Sequence, residues 1–263
     1  LNTSGFSRLG FLSLGIALLG LSSATAYAQG AASQGLNANS AMSQLSAAFS
    51  GGKAVQRVQL SGNATWYAGS LEDSGTVTLT ASADGSSLMQ LILSASGQRS
   101  ETQSGSGLNA TCQWAGDDGI AHEIRSGSCW RPVLWFLPAL TVQPSQLPSN
   151  IGVVDLGTGT VGSSTNAYRH LQTQLILNEP SNAQTTDIAQ KITTDLGLDP
   201  VSMLPSVLAY SVYPDNGAPV AIAVEVRYSD YRAVNGVQIP FLIQRYVNGS
   251  LQLELRINSA EIA

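Results

Sequence analysis

From Val58 onward the chain alternates apolar and polar side chains with a period of two. Val58, Leu60, Gly62, Ala64 and Trp66 fall on one side, against Gln59, Ser61, Asn63, Thr65 and Tyr67. Successive side chains of a strand point to opposite faces, so the pattern predicts a strand with one buried face. Val77, Leu79 and Ala81 alternate with threonines in the same way. Residues 88–93, 99–103 and 108–115 read as further strands, separated by turn signals at Asp84-Gly85, Gly97 and Asp117-Asp118-Gly119. Residues 151–156, 168–177 and 207–213 continue the series. The C-terminus is the clearest part. Val220 to Tyr228, Val237 to Ile243 and Leu251 to Ile257 each alternate, and Asn235-Gly236 and Asn248-Gly249 supply hairpin turns between them. Pro240 lacks a backbone donor, so its strand is expected to be an edge there.

Three stretches break the alternation. Met42, Leu45 and Phe49 recur at helical spacing, with Ser40 placed to cap a helix over 41–49 and Gly51-Gly52 to stop it. Residues 128–140 (SCWRPVLWFLPAL) predict one short, very apolar helix ending near Pro138, since proline is tolerated only near a helix start. Residues 185–198 are ambiguous between helix and strand, and their position before another strand favours strand.

Residues 1–28 have the layout of a secretory signal peptide. Arg8 supplies the positive flank, residues 9–21 an apolar core too short to span a bilayer, and Ala26-Tyr27-Ala28 a small-x-small cleavage site. No cysteine stands at that site, so no lipid anchor is expected. Residues 29–39 have no apolar period and read as a flexible segment, and 40–263 as one β domain. Of the 12 basic residues one, Arg8, lies in the leader, leaving 11 against 17 acidic ones, a formal charge of −6. Lys53 and Lys191 are the only lysines. This composition excludes a basic patch for nucleic acid and disfavours docking to anionic lipid by charge alone. No later apolar run is long enough for a transmembrane segment. In an oxidising compartment Cys112 and Cys129 can pair; the alternative is two separate buried thiols, and the export signal favours the disulfide.

Catalytic chemistry finds few parts. His122 with Glu123 and Asp118 suggests a metal or acid–base site, but the H-E-x-x-H pattern fails and an exposed hairpin explains the residues better. His170 sits in an alternating strand and reads as structural. Gly157 to Gly162 matches the G-x-G-x-x-G string, with Glu179 about 20 residues on, as the dinucleotide motif has it. The string does not open a helix in a βαβ unit, so no nicotinamide cofactor is expected. No catalytic residue, metal ligand or cofactor is assigned.

A sheet of this many strands must cover its greasy face, either with a second sheet or by curling around itself under short helices. The second arrangement leaves an interior filled by side chains or by a ligand. Tyr228–Arg232 (YSDYR), Val234–Phe241 (VNGVQIPF), Tyr246–Ser250 (YVNGS) and Leu253–Ile257 (LELRI) resemble the C-terminal ladder of exported bacterial proteins similar to the LolA-like superfamily, periplasmic carriers of lipoproteins. Leu60 to Trp66 and Ser74 to Leu79 resemble the first strands of that group. The resemblance implies a mainly β (α+β) fold: a curved antiparallel sheet, or incomplete β-barrel, with short helices as a lid over an apolar cavity. The region from Gln113 to Thr165 departs from the compact carrier as an insertion. The expected function is an exported, periplasmic or secreted, non-enzymatic binding protein for a lipid, acyl chain or lipidated protein. The alternative is an envelope interaction or sensory module with a filled core. Trp66, Trp130, Trp135, Phe136 and Leu137 are the candidate ligand contacts, with a role in the core as the alternative; Trp130, Trp135 and Phe136 come first, because they are bulky, apolar and placed on the one helix that interrupts the meander.

Overall fold

The computed structural model describes residues 38–124, 126–176, 183–213 and 220–263. The expected signal peptide, 1–28, and residues 29–37 lie outside the described residues. Helix α1 covers residues 38–50. Strands β1 (Arg57–Ala68), β2 (Leu71–Ser82), β3 (Ser87–Leu93), β4 (Gly97–Ser104), β5 (Thr111–Ala115) and β6 (His122–Ile124) follow. Two one-turn helices, α2 (Ser126–Cys129) and α3 (Pro138–Thr141), come next. Then come β7 (Ile151–Gly159), β8 (Tyr168–Leu175), α4 (Ala183–Ile192), β9 (Thr194–Leu198), β10 (Pro205–Val212), β11 (Ile222–Val234), β12 (Val237–Val247) and β13 (Ser250–Ile262).

Among the described residues the strands form one sheet of 13, in the order β6-β5-β4-β3-β2-β1-β13-β12-β11-β10-β9-β8-β7. Every pairing is antiparallel. The chain starts at the middle of the sheet, meanders out to one edge, and jumps to the opposite edge. It then meanders back until β13 closes beside β1. The two edge strands, β6 and β7, do not pair, so the sheet is a curved half-barrel rather than a closed one. The residues that alternate in the sequence line its inner face: Leu60, Leu79, Leu91, Val226, Ile239, Ile243, Leu253 and Leu255 are all buried in one cluster. Met42, Leu45 and Phe49 of α1 join that cluster, as the helical spacing requires.

Curvature crowds the inner face. Gly62 lies at a register shift between β1 and β13, and Gly75 faces it diagonally in β2. A Cβ on Gly62 would collide with the Arg256 carbonyl, and one on Gly75 with the carbonyl of Ile92. Glycine is what lets neighbouring backbones approach this closely.

Asp73, at the inner end of β2, holds the β3–β4 turn. Its carboxylate accepts from the backbone N–H groups of Ala95 (3.0 Å) and Ser96 (2.6 Å) and from the Ser94 hydroxyl (2.9 Å). The hydrogen bonds from Ser96 and Ala95 outweigh desolvation and lower its pKa from 3.8 to about 2. A depressed folded-state pKa stabilises the protein above the unfolded value, and that stabilisation fades as pH falls through the folded one. Acid unfolding between about pH 4 and pH 2 is therefore expected to lose part of its pH dependence in Asp73→Asn. Identical acid-unfolding curves for variant and parent would contradict this role.

Four expectations change. The strand over 108–115 begins only at Thr111, because Gly107–Asn109 form a 3-10 turn. The single helix over 128–140 is replaced by α2 and α3, with irregular backbone between them. Proline disfavours helical backbone in the residue before it: Leu137, ahead of Pro138, has φ −148° and ψ 65°, and Pro132 removes a second donor. Residues 185–198 are not one strand. Most of the first part belongs to helix α4, supported by a Lys191–Asp187 pair at 2.7 Å and by burial of Ile192, and only Thr194–Leu198 is strand. Ser40 does not cap α1, since Ala38 and Asn39 are already helical; its hydroxyl instead accepts from Gln44 Nε2 at 3.2 Å.

Pro240 behaves as an edge residue in a central strand. It pairs with Tyr231 of β11, whereas the β12–β13 ladder begins only at Leu242.

Candidate functional site

Because β6 and β7 are consecutive in the chain but lie at opposite edges, the connection between them must cross the mouth of the half-barrel. Its apolar residues Val133, Leu134, Phe136, Leu137, Leu140 and Val142 are buried against the inner face. This crossover is tied down at several points. A disulfide joins Cys129 of α2 to Cys112 of β5, with the Cα atoms 5.6 Å apart. Arg131 donates from Nη1 to the Ser128 carbonyl and from Nη2 to the Ser211 carbonyl, both at 2.6 Å. The Leu134 N–H donates to Thr141 Oγ1 at 3.2 Å, and the Tyr228 hydroxyl donates to the Trp135 carbonyl. Burial pushes the Tyr228 phenol well above its ordinary pKa, so it remains a donor.

The crossover does not fill the whole mouth. Beside it lies a cleft of about 560 Å³. One wall comes from Ser87 and Met89 of β3, Arg99, Glu101 and Gln103 of β4, and Trp114 of β5. The other comes from Tyr210 of β10, Val224 of β11 and Arg245 of β12. Trp66 of β1 and Arg131, Trp135 and Phe136 of the crossover also line it. Trp135 and Phe136 meet edge to face at 5.4 Å.

The charges in the cleft are unevenly compensated. Arg99 pairs with Glu101 at 3.0 Å and lies over the Trp114 ring at 4.9 Å. The Arg131 guanidinium lies over Tyr210 at 4.2 Å, and Arg245 lies over Trp135 at 5.0 Å and Trp66 at 5.8 Å. Among the described residues neither Arg131 nor Arg245 has a carboxylate within 4.0 Å. Burial lowers the Arg131 pKa. Burial raises the Tyr210 pKa, while Arg131 and then Arg245 pull it back.

Of the candidate ligand contacts, Trp66, Trp135 and Phe136 come together in the cleft. Leu137 sits in the core beneath it, and Trp130 packs on the satellite cluster of Ala110, Cys112 and Cys129. Cys112 and Cys129 form the expected disulfide. Sequence reasoning missed Arg131, Arg245 and Tyr210. Arg245 did leave a signal: it occupies the inner register that runs Val237, Ile239, Phe241, Ile243, where alternation asks for an apolar residue.

No protein-family model and no curated protein matches the sequence. Solved structures do match. A DUF1329 family protein from Desulfovibrio piger superposes with a TM-score of 0.55 at 8% identity, over 87% of this chain and 93% of that one. A LolA superfamily protein from Nitrosomonas europaea gives 0.51 at 12% identity, over 86% and 93%. The fold is LolA-like. A putative outer membrane lipoprotein-sorting protein domain from Vibrio parahaemolyticus gives 0.54 at 9% identity, over 88% and 93%. At these identities the likeness is one of fold.

The LolA-like sheet also gives the sequence's chemical motifs their context. The Gly157 to Gly162 string ends β7 and turns into antiparallel β8, with Gly157 at a register shift. His122 stacks on Trp114 at 4.4 Å, and His170 meets the Asp195 carboxylate at 2.8 Å within the sheet. No group of three potential metal ligands occurs among the described residues, and no helix there is long and apolar enough to cross a membrane.

Proposed function

We propose that this chain is an exported, non-enzymatic binding protein that holds a hydrophobic ligand in the cleft beside the crossover. Residues 1–28 act as the export signal and 40–263 as one binding domain. The observation that carries this reading is the aromatic cleft at the mouth of a LolA-like half-barrel, lined by Trp66, Trp135 and Phe136. Its volume is in the range of small-molecule sites, about 300–1,000 Å³. Burying an alkyl chain there contributes about 0.8 kcal/mol per methylene before the costs of association. The names of the Nitrosomonas and Vibrio proteins point to lipoprotein sorting, which suggests an acyl chain, a lipid or a lipidated protein as cargo.

A second reading has its own support. Away from the cleft, α1 and the crossover fill the inner face, with Leu45, Phe49 and Leu140 fully buried. A filled core would suit an envelope interaction module that binds a protein by its surface or a strand edge.

Native mass spectrometry of the protein purified from exporting cells separates the two. The binding reading expects a co-purifying lipid of defined mass that solvent extraction removes. An apo mass throughout, together with failure to take up a fluorescent fatty acid, would overturn it in favour of the interaction module.

A further inference from the structure

The cleft is cationic in an acidic protein. The whole chain carries a formal charge of −5, yet the charged residues lining the cleft are Arg99, Arg131, Arg245 and Glu101, a net +2. The Arg99–Glu101 pair cancels, so the excess rests on Arg131 and Arg245.

These two arginines are incompletely satisfied. Three buried side-chain polar atoms among the described residues lack a hydrogen-bond partner, and two of them are Arg131 Nε and Arg245 Nε. Arg131 spends both terminal nitrogens on carbonyls of the crossover and β10, so its position is fixed. Among the described residues Arg245 Nε has no hydrogen-bond partner, and the guanidinium lies over the faces of Trp135 and Trp66. Its cross-strand neighbours on β11 and β13, Val226 and Leu253, are fully buried. An apolar residue in this register would pack without desolvating a charge, so the cation is costly unless something anionic meets it. Guanidinium groups suit carboxylate and phosphate, which accept parallel hydrogen bonds from them.

We propose that the cleft takes a single-chain amphiphile with an anionic head group, a carboxylate or a phosphate. Arg131 and Arg245 hold the head, and the alkyl chain lies against Trp66, Trp135 and Phe136. This rests on the ligand-binding reading above and adds the chemistry of the ligand's polar end.

The test is calorimetric titration of the purified protein with decanoate, decyl phosphate, decanol and inorganic phosphate. The two anionic decyl probes bind about tenfold or more tightly than decanol, the scale of one charge-assisted hydrogen bond. Arg245→Met and Arg131→Met each reduce that preference to less than about threefold, and Arg245→Lys retains part of it. Thermal melts check that the variants fold. Arg245→Met removes a cation without a carboxylate partner and is expected to melt no lower than the parent. Equal affinities for decanoate, decyl phosphate and decanol in the parent overturn the anionic head group and leave the hydrophobic-ligand reading standing. Binding of none of the decyl probes overturns both. Inorganic phosphate binding as tightly as decyl phosphate marks a free-anion site and overturns the amphiphile.

Discussion

Gly75→Ala lowers the stability of the protein by about 3 kcal/mol, the upper end of what overpacking costs, and its melting temperature by about 6–12 °C. The added methyl group has nowhere to go. It would meet the carbonyl of Ile92 and the Cα of Leu93, backbone atoms of β3 that are fixed by their own ladder. Relief requires opening the β2–β3 pairing or flattening the sheet, and either uncovers Leu79 and Leu91. Gly116→Ala is the control, because the nearest atom to its new Cβ is the Asp118 carboxylate oxygen at 3.9 Å. It is expected to change stability by less than about 0.5 kcal/mol. Thermal unfolding of the two variants side by side measures the difference, and equal melting temperatures would show that the tight coil at Gly75 is not required.

The second large effect comes from the disulfide. Cys112→Ser combined with Cys129→Ser is expected to cost about 3 kcal/mol in the chain-entropy treatment of a closed loop this long, for a sequence separation of 17. The bond joins the short outer strand β5 to the start of the crossover, and both cysteines line the cleft. Its loss therefore frees the wall that carries Trp114 as well as the segment that carries Arg131. Reductant should lower the melting temperature of the parent and leave the double variant unchanged. A parent whose thiols titrate as free under reductant, with no fall in melting temperature, would contradict a stabilising role.

Much of the sheet was legible because strands with one wet face write their burial into the sequence. Val237, Ile239, Phe241 and Ile243, followed by Asn248-Gly249 and Leu251 to Ile257, specify strand, face and turn at once. The disulfide was expected from reading residues 1–28 as an export signal rather than from the strand pattern. The crossover was not legible. Its residues are apolar because they plug a half-barrel, not because one face of a helix is buried, so Val133, Leu134, Leu137 and Leu140 imitate a helical stripe that two prolines prevent. Helix α4 was obscured by Thr185 and Thr186, β-branched residues that favour strand, while the burial of Ile192 that holds the helix is a tertiary effect. Of the five side chains singled out by bulk, Trp66, Trp135 and Phe136 line the cleft, whereas Trp130 and Leu137 do not and Trp114 and Tyr210 were not among them. Arg245 stood out in its inner register, but its meeting with Arg131 did not, because the two are far apart in the chain and only the approach of β12 to the crossover brings both into one cleft.

The central claim is that a hydrophobic ligand occupies this cleft, and photo-crosslinking tests its location directly. The protein is irradiated with a diazirine-bearing fatty acid, digested and mapped by mass spectrometry. Adducts are expected on Trp66, Trp135, Phe136 and Tyr210, and excess unlabelled fatty acid should suppress them. Adducts confined to exposed apolar residues such as Leu71 and Ile92, or labelling that competitor leaves unchanged, would contradict it.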